Sequence, residues 1–148
     1  MTLLARHISF LEQRMKSISH LPTAFEYYSA IHMTYFHHTP FYVYQDIPMS
    51  HKLQHGFPIQ DKGVDIANNT FTHIGQAKYY REGNIIHYGR LATFLATPLL
   101  VGKKDIKLTL IHTHDCTLHE EIKQIISRGD LTNFPLCSAA FLARRRTL

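Results

Sequence analysis

Apolar side chains recur at helical spacing at the start of the chain. Leu3, Leu4, Ile8, Leu11 and Met15 share one stripe, with Arg6, Glu12, Arg14 and Lys16 elsewhere on the wheel. That pattern predicts an amphipathic helix over 3–17. The stretch from Ser17 to Leu21 breaks it, and Pro22 suits the first turn of a second helix. This helix runs from Thr23 to His37, is rich in aromatics (Phe25, Tyr28, Tyr35, Phe36), and ends before Pro40. The period then changes. Phe41-Tyr42-Val43-Tyr44 is β-branched or aromatic throughout and reads as a strand. Residues 48–62 are polar, with Pro48, Gly56 and Pro58, and read mostly as loop. Gly63 to Ala67 reads as a short strand, Asn68-Asn69-Thr70 as a turn, and Phe71 to Tyr79 as the return strand of a hairpin.

Further on, Ile85, Ile86, Leu91, Phe94 and Leu95 predict a helix over 85–96, stopped before Pro98. Ile106, Leu108 and Leu110 alternate with Lys107 and Thr109, which predicts a strand over 106–111. Thr117 and Glu120 stand at the spacing of a capping box and open a helix to Ser127, closed by Gly129. Phe134 to Cys137 reads as a short last strand, and Phe141 to Leu148 as a basic end that frays. The order is α-α-β-β-β-α-β-α-(β). A hairpin followed by β-α-β units implies an α/β domain with a central mixed sheet and helices on both faces.

Composition narrows the class. The 148 residues suit one domain, and 45% hydrophobic with 18% charged residues excludes a disordered chain. The formal net charge of +5 fits a polyanionic partner such as nucleic acid. Cys116 and Cys137 form no paired motif, which suits a reducing, intracellular compartment: cytoplasm, or the nucleus of a eukaryotic or virus-infected host. Neither a bilayer-spanning apolar run nor a secretory signal is read, so no membrane partner is expected. Twelve histidines invite a zinc reading, with His112 and His114 at i, i+2 and His37-His38 elsewhere. Tetrahedral zinc sites show tighter paired spacing, so these are expected to be surface residues at a strand end.

The informative stretch is Asp61-Lys62-Gly63-Val64-Asp65-Ile66, followed by Gly75-Gln76-Ala77-Lys78-Tyr79-Tyr80. On a strand Gln76 and Lys78 share a face while Ala77 points the other way. If the hairpin brings Asp65 alongside, a carboxylate, an amide oxygen and an ammonium converge. Such a trio suits phosphodiester hydrolysis, which uses a divalent cation held by hard oxygens and a cation to balance charge in the transition state. The Ala77 carbonyl is a further candidate oxygen. Lys62, Tyr80, Arg81, Lys103 and Lys104 are candidate DNA contacts, and Arg144-Arg145-Arg146 is either a phosphate-contacting tail or a solvated terminus.

These two motifs resemble the Mrr-type branch of the restriction-endonuclease-like PD-(D/E)XK superfamily, in which Gln often replaces the acid of the (D/E)-x-K half-motif. The resemblance covers roughly Thr23 to Leu136. It implies an αβββαβ core, here with an extra N-terminal helix, over one domain: a helical extension at 1–21, the core at 22–137 and a basic tail at 138–148. It also implies Mg²⁺-dependent DNA cleavage, with Mn²⁺ as a substitute. By resemblance the catalytic set is Asp65, Gln76, Lys78 and Glu26, the last lying on the helix before the first core strand. The metal ligands are Asp65, Gln76 and the Ala77 carbonyl. The chain departs from the family where Val64 stands in place of Pro, and the neutral Gln76 lowers the expected metal affinity. A catalytically inactive DNA-binding module and a structure-selective Holliday-junction resolvase are the alternatives. A homodimer is compatible with cutting two strands.

Overall fold

The computed structural model describes residues 1–58, 63–81 and 83–146. In chain order the elements are α1 (Leu3–Ser17), α2 (Leu21–His37), β1 (Phe41–Val43), α3 (Met49–Gln54), β2 (Ile66–Asn68), β3 (His73–Lys78), β4 (Ile85–Ile86), α4 (Ala92–Leu95), α5 (Thr97–Val101), β5 (Lys107–Thr113), β6 (Thr117–Leu118), α6 (Glu120–Ser127), β7 (Thr132–Leu136) and α7 (Ser138–Arg146). Five strands form one mixed sheet in the order β1-β2-β3-β5-β7. The first three are antiparallel neighbours, and β3, β5 and β7 are parallel. Parallel neighbours need crossovers, supplied by α4–α5 and by α6. The mixed sheet flanked by helices agrees with the fold class that the alternation of periods predicts.

The sheet separates two buried clusters. On one side α1, α2 and α7 contribute Leu11, Met15, Phe25, Ile31 and Phe141 against Ile66 and Ile111. On the other, Phe57, Phe94, Ile122 and Leu131 cover Ala67, Ile74 and Leu110. Each such side chain contributes roughly 1.5–3 kcal/mol by leaving water, so this double-sided burial outweighs local propensity along the sheet.

Several predicted elements differ in detail. Within the stretch expected as loop, Met49–Gln54 is helical. Its Lys52 is buried with the ammonium 4.3 Å from the centre of the Tyr44 ring, a contact that no periodicity reports. Residues 85–96 are not one helix: Ile85–Ile86 pairs in parallel with Thr117–Leu118, and a 3₁₀ turn at Tyr88–Arg90 precedes α4. Pro98 does not stop the helical run but sits in the first turn of α5, where its missing N–H costs nothing. Thr117 is a strand residue, and α6 is capped instead by His119, whose ring accepts the Glu121 N–H at 3.2 Å. Within the stretch expected to fray, residues 141–146 belong to α7. Arg144 bonds Glu12 and Arg145 bonds the Met15 and Ile18 carbonyls, so these arginines lie against α1 and do not form a free tail.

Candidate metal and phosphate site

The strand entering the site is irregular at Asp65. β2 pairs Ile66 with Gly75, yet the Asp65 N–H also donates to the Gly75 carbonyl at 2.9 Å. Two consecutive residues facing one is the pattern of a β-bulge, which re-aims side chains and is common beside active sites. Packing agrees: Val64 and Ile66, two residues apart, belong to opposite clusters, whereas in a regular strand they would share a face. The bulge turns the Asp65 side chain along the sheet edge, where its Oδ2 accepts the Ala77 N–H at 2.8 Å. That bond fixes one oxygen of a charged acceptor. A strand residue sends its N–H and C=O to the same edge, so the Ala77 carbonyl faces the Asp65 side as well.

Gln76 follows the pleat to the other face. It is 5% exposed, and its amide lies against Gly63 and Phe94. A Cβ built on Gly63 would stand 3.3 Å from Gln76 Nε2 and 3.2 Å from the Phe94 nitrogen, and Gly63 has φ +95°. Both the conformation and the close approach call for glycine there. Gln76 Oε1 is buried with no hydrogen-bond partner among the described residues. An orphaned buried oxygen costs about 1–3 kcal/mol, a cost that an oxygen-seeking cation removes. Among the described residues no group of three or more His, Cys, Asp or Glu side chains is placed to hold a metal. The oxygens expected as ligands are one carboxylate, one amide and one main-chain carbonyl, of which Asp65 and Ala77 are in direct contact.

Lys78 lies two residues beyond Gln76 on the same strand, half-buried, with no ion pair among the described residues. Glu26 is half-buried on α2, one turn beyond Pro22, and α2 packs on the face carrying Ala77. The structure thus joins Asp65 to the Gln76–Lys78 strand directly, through Ala77, and places Glu26 on α2, which packs on the sheet face opposite Gln76 and Lys78.

The expected DNA contacts divide. Lys62 lies outside the described residues. Tyr80 and Arg81 leave β3 at the Lys78 end, where the Tyr80 carbonyl accepts the Thr113 hydroxyl at 2.6 Å. Lys103 and Lys104 precede β5 at the opposite end, because the ladder pairs His73 with Lys107 and Lys78 with His112. The Lys103 ammonium lies 5.8 Å from the Phe57 ring centre. The Lys78 end opens into a groove of about 680 Å³, with Pro22 on one wall and Arg81, His87 and Arg90 among its lining.

His112 is not a surface residue. It is 4% exposed, bonds the Thr113 carbonyl through Nδ1 at 2.9 Å, and has Asn133 Nδ2 3.3 Å from Nε2. Burial lowers its pKa, favouring the neutral ring. Strand alternation over 106–111, carried two residues further, puts His112 on the face of Leu108 and Leu110, and that extension was the available signal. The bulge and the groove left no sequence signal of comparable strength. No protein-family model matches the chain, and neither a curated protein nor a solved structure matches it.

Proposed function

We propose that the chain is a metal-dependent DNA endonuclease of the PD-(D/E)XK type, in its Mrr-type branch, hydrolysing phosphodiester bonds at Asp65, Gln76 and Lys78. One observation carries this reading: a buried Gln76 Oε1, without a hydrogen-bond partner among the described residues, on the strand whose Ala77 N–H anchors the Asp65 carboxylate. Apart from the short α3 between β1 and β2 and the two-residue β4 after β3, the order α2-β1-β2-β3-(α4, α5)-β5 follows the αβββαβ order expected of that superfamily, with α1 as the extra helix.

Asp65, Gln76 Oε1 and the Ala77 carbonyl are the oxygens that would hold Mg²⁺ or Mn²⁺, hard cations that prefer such ligands. A divalent ion supplies Lewis acidity toward a phosphoryl oxygen and lowers the pKa of water. The remaining roles belong to the chain itself. Asp65 fixes the position of the scissile phosphate by fixing the charge beside it. The Lys78 ammonium balances the negative charge that builds as a water oxygen bonds to phosphorus and the bond to the leaving oxygen breaks. The attacking water gives up a proton as the leaving oxygen gains one. The basic balance of the chain favours the polyanion.

The neutral Gln76 supports a second reading, an inactive DNA-binding module of the same fold. Nicking of supercoiled plasmid separates the two. The first reading expects nicking that requires Mg²⁺ and is lost in Asp65→Ala and Lys78→Ala. Identical behaviour of wild type and both variants removes it.

A further inference from the structure

We infer that the groove at the Lys78 end takes a single, unpaired DNA strand, so the site acts where duplex is already opened; this rests on the nuclease reading above. The groove begins one residue beyond Lys78 and has about 680 Å³ of space, within the range of built binding sites. Its walls are the first turn of α2, at Leu21 and Pro22, and the segment through Ile85 and Arg90.

Charge and polarity together select the occupant. Arg81 and Arg90 are exposed, line the groove and, among the described residues, have no ion pair and no acidic neighbour in its lining. By contrast the larger groove at the other end of the sheet, about 1130 Å³, carries Asp105 and Asp130 beside its lysines. Beside the two arginines the lining carries apolar and aromatic groups: Pro22, Tyr80, and Ile85, which is 45% exposed. A duplex keeps its bases stacked inside and presents phosphates, so it would meet the arginines but leave those groups uncovered. An unpaired strand offers both a backbone for the cations and base faces for Tyr80, Pro22 and Ile85, the combination by which single strands are bound without sequence preference. Arg81 is three residues beyond Lys78, so a strand seated there lies beside the end of β3 that carries Lys78.

The test is fluorescence anisotropy of a labelled oligothymidine, against the same strand annealed to its complement, with a chelator in place of divalent metal. Wild type is expected to bind the single strand about 10-fold or more tighter than the duplex. The double variant Arg81→Ala/Arg90→Ala should lose about 10-fold or more of that affinity. Its slope of log affinity against log salt should fall by about 1.4, two phosphate contacts at roughly 0.7 each. Tyr80→Leu should weaken the single strand more than the duplex. Arg81→Lys/Arg90→Lys, keeping the charge, should retain most of the binding, which separates a lost contact from a misfolded chain. Duplex binding equal to or tighter than single-strand binding overturns the inference. So does wild-type affinity in the alanine double variant, or no oligonucleotide binding by wild type. Because binding is read without metal, any of these results can stand beside intact Mg²⁺-dependent plasmid nicking, and absent nicking can stand beside a selective groove.

Discussion

The Asp65 carboxylate accepts the Ala77 N–H at 2.8 Å across the mouth of the β2–β3 pair. This bond holds the only acid of the candidate donor set in place before any ligand arrives. Asp65→Asn keeps an acceptor oxygen for Ala77 and removes the charge. It should retain the folded state, with thermal unfolding close to wild type, while Mg²⁺-dependent nicking falls by about 100-fold or more. Asp65→Ala should lose activity and also about 1–2 kcal/mol of stability, read by urea unfolding.

Gln76 should show opposite effects on stability and function. Gln76→Leu removes the orphaned oxygen, so stability should rise by up to about 1 kcal/mol while metal-dependent nicking is lost. Gln76→Glu adds charge to the donor set, and half-maximal nicking should need less Mg²⁺. A Gln76→Leu protein that nicks as wild type does would show that Oε1 has no part in the site.

Gly75 is closely packed where the bulge meets β3. A Cβ there would lie 2.7 Å from Ile66 Cγ1 and 2.9 Å from Ile111 Cδ1. Gly75→Ala should destabilise by about 1–3 kcal/mol through overpacking. Chemical denaturation measures this, and a matching loss of nicking would show that the bulge geometry positions Asp65.

His73 ties stability to pH. It is 8% exposed and bonds Thr109 Oγ1 at 2.7 Å. Burial first, then the neighbouring His37 and Lys107, push its pKa down to about 4. The unfolded chain therefore binds the proton more tightly than the folded one, since a free histidine titrates near 6.5. The stability this site contributes is complete above about pH 6.5 and is lost as pH falls toward about 4, amounting to roughly 3 kcal/mol. In His73→Gln that portion of the pH dependence should flatten, as read from unfolding free energies across the window.

Much of this could be read from residue order alone. The helices at 3–17 and 23–37 and the strands at 41–44, 71–79 and 106–111 follow hydrophobic period, and the structure places elements there with shifted ends. Periodicity failed where tertiary contact decides. Ile85 and Ile86 suit helix or strand equally and became a strand because Thr117–Leu118 pairs with them. Arg144 and Arg145 read as a phosphate-contacting tail or a solvated terminus because their partners, Glu12 and Met15, are far away in sequence. At the site, the spacing of Gln76 and Lys78 gave their shared face, but it could not give the bulge at Asp65. A bulge depends on one extra residue in the pairing with Gly75, and no composition pattern marks it.

The most direct test is anomalous scattering from a crystal of the protein grown with Mn²⁺. The account predicts a manganese peak bonded to an Asp65 carboxylate oxygen and to Gln76 Oε1. A fully ordered site with no peak between those two atoms, or manganese bound only at other residues, would contradict it.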